Sequence, residues 1–326
     1  TAEAINKVLN IINNLAYDGS TLGMVDPMTY DPAAGIKYFP HLIAVEETPM
    51  DAATMLPPRP SGYSVVDDDS WLFDQISLIW GTLNYKNMMD PSNSSDSKHL
   101  AYHSVFDGDP FPADMSTTGM PGPFDLMMGA SKVIFQNLLA MHFNTVVGTF
   151  VDKAELNGGN VAMGDEISSF NAGYALVILK LFVEEFAGTP LESMAQNALQ
   201  AQANFLVNNL HDSNGGFFNS YTIGTGAAAD AKTVLAQAGA IRGLYAAYQA
   251  TNDNAYLTAA DNGYNFLIQN FYDSNEHGFH TTLGVDQATY TPKIVAALSG
   301  ALREARLVGG QEEATTIDVN FWNTVA

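Results

Sequence analysis

The sequence predicts an all-α chain built from stacked helical hairpins, and two observations carry that prediction. The first is a phrase the chain repeats, an amphipathic helix running into an Asp-Ser-Asn turn. Asn204-Phe205-Leu206 through Asp212-Ser213-Asn214-Gly215-Gly216-Phe217 returns as Asn265-Phe266-Leu267 through Asp273-Ser274-Asn275-Glu276-His277-Gly278-Phe279. A looser copy, Leu15-Ala16-Tyr17-Asp18-Gly19-Ser20, stands near the start, and Asn320-Phe321-Trp322 opens like another. Repeats of roughly 50–60 residues imply units that each bury an apolar face on the next. The second observation is that two kinds of helix alternate. One is apolar all round and therefore interior; the other is amphipathic and therefore outer.

Taken in order, residues 4–17 read as an outer helix and 70–85 as an inner one. Residues 98–106 and 125–141 repeat the pair, and 144–151 gives a short amphipathic piece. The pattern then becomes regular: 169–186 inner, 191–210 outer, 233–250 inner, 256–272 outer, 288–307 inner. Asn171-Ala172-Gly173 opens one inner helix as Gln237-Ala238-Gly239 opens the next. About six outer and five inner helices give the plan of an (α/α) toroid of about 5–6 hairpins, read as a single domain over residues 1–326. No strand framework is read; no alternating apolar run is identified beside an Asn-Gly or Asp-Gly pair, so short β ribbons are expected in loops alone. Two segments break the helical pattern. Residues 18–66 hold seven of the 14 prolines and residues 107–124 four more. Proline stops helix continuation, and loops this long are commonly functional, so both are placed on one face of the toroid. The chain ends inside what reads as a sixth outer helix with no inner partner after it, which suggests either a piece of a longer chain with further domains or a toroid closed by the 18–66 insert.

The composition excludes several classes. With 35 acidic and 13 basic residues the net charge is −22, which repels nucleic acid and anionic lipid. There is no cysteine, so disulfide and thiolate chemistry are ruled out. No apolar run is long enough to span a bilayer, so no membrane insertion is expected. Thr1-Ala2-Glu3-Ala4 has no signal-peptide pattern, and an exported, processed protein is the expectation: extracellular, cell-surface or periplasmic.

The sharpest chemical signal is Asp67-Asp68-Asp69-Ser70-Trp71, three carboxylates where a Pro-rich loop meets an inner helix. Clustered carboxylates shift one another's pKa and an aromatic face stacks on a sugar ring, so the segment suits a general acid or base in a carbohydrate cleft. Helix capping by Asp is the plain alternative. Acids also precede the other inner helices: Asp125, Asp165 with Glu166, Asp230 and Asp286. Asp165 and Glu166 are chosen as the carboxylates opposing the triplet. Trp71, Phe111, Phe217 and Phe218 are the candidate sugar platforms. The Asp212 and Asp273 turns resemble half a calcium loop but lack its spaced acids, so turn chemistry accounts for them, with a structural Ca²⁺ as the minor alternative and no other cofactor expected. His99 and His103 share the i, i+4 spacing of zinc ligands without a third, so no metal site is assigned.

Ala238-Gly239-Ala240-Ile241-Arg242-Gly243-Leu244-Tyr245 resembles the hairpins of six-hairpin glycosidase-like (α/α)6 toroids, and Asp212-Ser213-Asn214-Gly215-Gly216-Phe217-Phe218 is similar to the loop after an outer helix there. The likeness covers most of residues 165–310. It implies a carbohydrate-active enzyme acting on an oligo- or polysaccharide, chiefly a glycoside hydrolase. The alternative is a non-catalytic glycan-binding or assembly module. An epimerase is the third reading and would use a histidine on an inner helix, for which His142 is the nearest candidate.

Overall fold

Residues 2–50, 53, 55, 57–90 and 121–325 are described by a computed structural model, and the chain falls into two units. The predicted helix at 98–106, His99, His103, Phe111 and most of the second Pro-rich segment lie outside the described residues.

The first unit comprises residues 1–142 and 153–164. Its helices are α1 (Ala2–Asn14), α2 (Leu72–Met89) and α3 (Pro123–Asn137), of which α2 and α3 pack on each other. The first Pro-rich segment is not irregular throughout: β1 (Leu42–Thr48) and β2 (Arg59–Asp67) form an antiparallel ribbon in it. Its β-branched residues outweigh the prolines, and Pro60 is tolerated because a two-stranded ribbon is all edge. A second small sheet joins β3 (Ser70–Trp71) to β4 (Lys153–Asn157) and β4 to β5 (Asn160–Met163). Asn157-Gly158-Gly159-Asn160 turns that hairpin, with Gly158 and Gly159 at φ +57° and +84°. That is a Gly-Gly hairpin turn the sequence reading passed over.

The second unit comprises residues 143–152 and 165–326. It contains three consecutive helical hairpins: α4 (Ser169–Glu185) with α5 (Pro190–Phe205), α6 (Val234–Thr251) with α7 (Asn254–Phe271), and α8 (Pro292–Leu307) with α9 (Glu313–Val325). The predicted inner helices α4, α6 and α8 pack in series, α4 on α6 and α6 on α8. The repeated Ala-Gly explains the closeness of the first contact. A Cβ at Gly173 would lie 2.0 Å from the Gly239 carbonyl oxygen, and one at Gly243 would lie 2.4 Å from Gly173 Cα. Only glycine lets these two backbones touch. Among the described residues of both units, α1 to α9 make nine α-helices.

Inner helices in this unit start on hydroxyl caps, not acids. Ser168, Thr233 and Thr291 accept from the backbone N–H three residues on. Asp230 supports a cap at one remove, accepting from Asn219, whose oxygen accepts from Thr233. Asp125, at the third position of α3, bonds back to its helix start, at Gly122 N.

The repeated phrase proves to be a helix followed by a miniature hairpin closed by a side-chain carbonyl or carboxylate. Asp212 Oδ1 accepts from Asn214 N, and Asp273 Oδ1 from Asn275 N and Glu276 N. Residues 144–151, read as helix, are instead another copy: Phe143–Asn144 pairs with Thr149–Phe150, and Asn144 Oδ1 accepts from Val146 N and Val147 N. In each copy a phenylalanine after the turn is buried and its backbone is clamped by a neighbouring side chain. Gln202 accepts from Phe150 N, Gln237 bonds both Phe217 N and Phe217 O, and Tyr290 does the same at Phe279. Burying such a ring is worth about 1.5–3 kcal/mol, so each turn is pinned to its helices as well as shaped.

Candidate functional site

In the first unit, β2 delivers Asp67, and Asp68 and Asp69 turn the chain into β3, which runs straight into α2. The backbone of this corner is held from three sides. Tyr38 Oη donates to the Asp68 carbonyl at 2.5 Å, His41 N donates to the Asp69 carbonyl at 2.9 Å, and Asp69 N donates to Asp67 Oδ1 at 3.0 Å. The capping account fails here: the residue before α2 is Trp71, and no side chain caps the helix. The three carboxylates converge instead, with oxygens within 4.8 Å of one another.

Their environments differ. Asp69 is paired with Lys153 at 2.7 Å, a contact that holds the ammonium above its usual pKa. Asp67 is committed to the turn. Asp68 is exposed, and its carboxylate makes no hydrogen bond or ion pair among the described residues. Because β3 pairs with β4, Lys153 stands opposite Trp71, its Nζ 6.0 Å from the ring centroid. The indole is 36% exposed. His41 lies 5.9 Å from it between centroids, bonded to Asp74 at 2.6 Å and raised in pKa chiefly by that bond. This is the one group of three acidic, histidine or cysteine side chains with metal-ligand spacing among the described residues. Lys153 already supplies a positive charge to it, and a calcium ion would need 6–8 oxygens, so the donor set fits an acid–base site better than a cation cage.

Asp165 and Glu166 belong to the second unit. They are exposed and sit at the start of a three-stranded ribbon, β6 (Glu166–Ser168), β7 (Ser220–Thr222) and β8 (Gly226–Ala227). The Glu166 carbonyl accepts from Asp152 N at 2.9 Å, and that brings in a residue the sequence reading missed. Asp152 Oδ2 accepts from Ser168 N at 3.0 Å; Oδ1 is sealed from solvent without a partner at hydrogen-bond geometry, as is the nearby Asn171 Oδ1. Burial, only partly offset by the neighbouring Asn171 side chain and by Ser168 and increased by Glu166, raises Asp152 to about 6. Nothing in the local sequence marks this acid, because the groups that act on it, Ser168 and Asn171, come from the start of α4.

The aromatic candidates separate. Trp71 offers a face. Phe217 is corrected: it is fully buried, its ring edge-on to His211 and against Gly263, so no sugar reaches it. Phe218 is half-buried with Lys232 Nζ 5.2 Å from its centroid. Lys232 also binds Asp212 at 2.5 Å in a largely buried pair and lowers its pKa. His142 is buried and bonded to Ser70 Oγ at 2.9 Å, out of reach as an epimerase base. A separate apolar cavity of about 360 Å³, lined by Ile5, Leu9, Pro27, Met28 and Leu126, includes none of the predicted site residues.

No protein-family profile matches the chain, and no curated protein sequence matches it. Solved structures do. A sugar epimerase from a ruminal bacterium aligns at 10% identity with TM-score 0.55, over 79% of this chain and 60% of that one. A family 76 glycoside hydrolase (mannosidase) from Bacteroides thetaiotaomicron aligns at 12% identity and TM-score 0.55, over 99% and 70%. Another family 76 enzyme, from a bovine strain of that species, aligns at 10% and 0.56, over 99% and 55%. The chain thus spans about three-fifths of the length of the epimerases it matches. These structures have the six-hairpin glycosidase-like fold that the sequence resembles; at such identities the likeness establishes fold and no family.

Proposed function

We propose that the protein is an exported carbohydrate-active enzyme, a glycoside hydrolase whose reaction centres on Asp67–Asp69 beside Trp71. The observation that carries this reading is the convergence of three carboxylates, one of them unpaired and exposed, next to an exposed indole at the start of an inner helix. The fold likeness to enzymes named for sugar epimerisation and mannoside hydrolysis supports the substrate class. A single (α/α) toroid over residues 1–326 is part of the proposal, supported by alignment of the mannosidase over 99% of the chain.

Asp68 is the acid or base that exchanges a proton with the glycosidic oxygen or the attacking water, with Asp67 as the other candidate. Asp69, held by Lys153, is the carboxylate that faces the positive charge developing at the anomeric carbon. The C–O bond breaks, water adds, and the leaving oxygen keeps the proton. Trp71 stacks on the sugar ring. Asp165 and Glu166 are kept as the sequence-derived second carboxylate pair.

The test is a panel of neutral and acidic oligosaccharides incubated with wild type, Asp68→Asn, Asp165→Asn and Glu166→Gln, with products read by mass spectrometry. Water-added fragments lost in Asp68→Asn support the hydrolase. Unsaturated fragments refute hydrolysis in favour of elimination, and intact substrates that nonetheless bind move the reading to a glycan-binding module.

A further inference from the structure

Helix α6 carries one charged residue, Arg242, in an otherwise uncharged sequence. Its Nε is sealed from solvent without a hydrogen-bond partner, and no carboxylate lies within ion-pair distance of the guanidinium among the described residues. Glu304 attracts it, but that carboxylate is bound to Arg303 at 3.2 Å. Space for the guanidinium is made by Gly300 of α8, where a Cβ would come within 3.0 Å of Arg242 Cδ and Nη1. Tyr174 of α4 lies near enough to interact with its charge, and it stacks with Phe170 at 6.0 Å. Lys293 Nζ sits 4.3 Å from the Phe170 centroid. It occupies the second position of α8, an end where the helix dipole disfavours a cation. Gly300 is seven residues along the same helix, about 10 Å further in.

A half-buried guanidinium without a partner is costly, and in a chain of net charge −22 carboxylates to satisfy it are plentiful. The chain nevertheless leaves it without an ion-pair partner, near Tyr174 of the stacked pair. We propose that Arg242, Lys293 and the Phe170–Tyr174 pair form a subsite for a carboxylate-bearing sugar. Arg242 takes the carboxylate through its planar fork, and the half-buried Phe170 ring, backed by the buried Tyr174, meets the sugar. The proposal rests on the carbohydrate reading above and names the charge of the substrate.

The test is calorimetric titration of the whole chain with oligogalacturonate, with a neutral oligosaccharide of the same length, and with inorganic phosphate. Wild type is expected to bind the acidic sugar over both others, and less tightly as salt rises. Arg242→Met is expected to weaken that binding by about tenfold or more, Arg242→Lys by less, and Lys293→Gln to weaken it while leaving the fold unchanged. Equal binding of the neutral sugar, equal binding of phosphate, or undiminished binding in the folded Arg242→Lys and Lys293→Gln variants overturns the proposal. Binding needs no turnover and should survive Asp68→Asn. Acid-sugar binding without hydrolysis therefore counts against the hydrolase alone, and hydrolysis without acid preference against this subsite alone.

Discussion

Replacing Asp152 by Asn should stabilise the protein at neutral pH while leaving it unchanged in acid. Burial raises the folded-state pKa from 3.8 to about 6. A carboxyl raised in this way contributes its full stability below the unfolded value, loses it progressively as pH climbs from about 4 to about 6, and is flat above. About two units at 1.36 kcal/mol each give a penalty of about 3 kcal/mol at pH 7. Asn is isosteric, keeps an acceptor for Ser168 N, and brings an N–H₂ to a place where Asn171 Oδ1 has no partner. Urea denaturation followed by circular dichroism, repeated from pH about 4 to about 8, should show the two proteins diverging through the acid range by up to that amount. A variant less stable than wild type by a margin that grows as pH rises would refute the reasoning, because it would make the ionised carboxylate a necessary cap for α4.

Two further substitutions probe the packing. Gly173→Ala places a methyl 2.0 Å from a backbone oxygen with no flexible neighbour to move, so α4 and α6 must separate. A loss of about 3 kcal/mol or more is expected by denaturation, and an unchanged midpoint would contradict the close crossing. Lys232→Met strands Asp212 in a largely buried site, with an expected loss of about 3–5 kcal/mol above pH about 4. That loss should shrink as pH falls through the lowered pKa of Asp212, and a pH-independent loss would contradict the pairing.

What the sequence disclosed follows from where each signal resides. Helices α4 and α6 were legible because an interior helix must be apolar all round, and that is written in every residue of the segment. The hairpin at 143–150 was not, because its signal is one Asn144 side chain accepting from two backbone N–H groups, and the apolar residues around it also fit a short helix. The β1–β2 ribbon was hidden by proline content that matters less in an edge ribbon. At the site, Asp67–Asp69 and Trp71 are contiguous and so were found together. Lys153, which distinguishes Asp69 from Asp68, is distant in sequence and arrives by strand pairing. Phe217 and Trp71 looked equivalent as aromatics near turns; only the clamp from Gln237 makes one core and leaves the other a surface. Arg242 did carry a readable mark, a lone charge within an apolar helix, that was read as fold alone.

The measurement that bears most directly on the account is the entry of heavy oxygen from labelled water into the products of the oligosaccharide panel, with wild type beside folded Asp68→Asn. The account predicts label at the new reducing end with wild type and its loss with Asp68→Asn. Label arriving at the same rate in both proteins, or no product at all from substrates that bind, would contradict it.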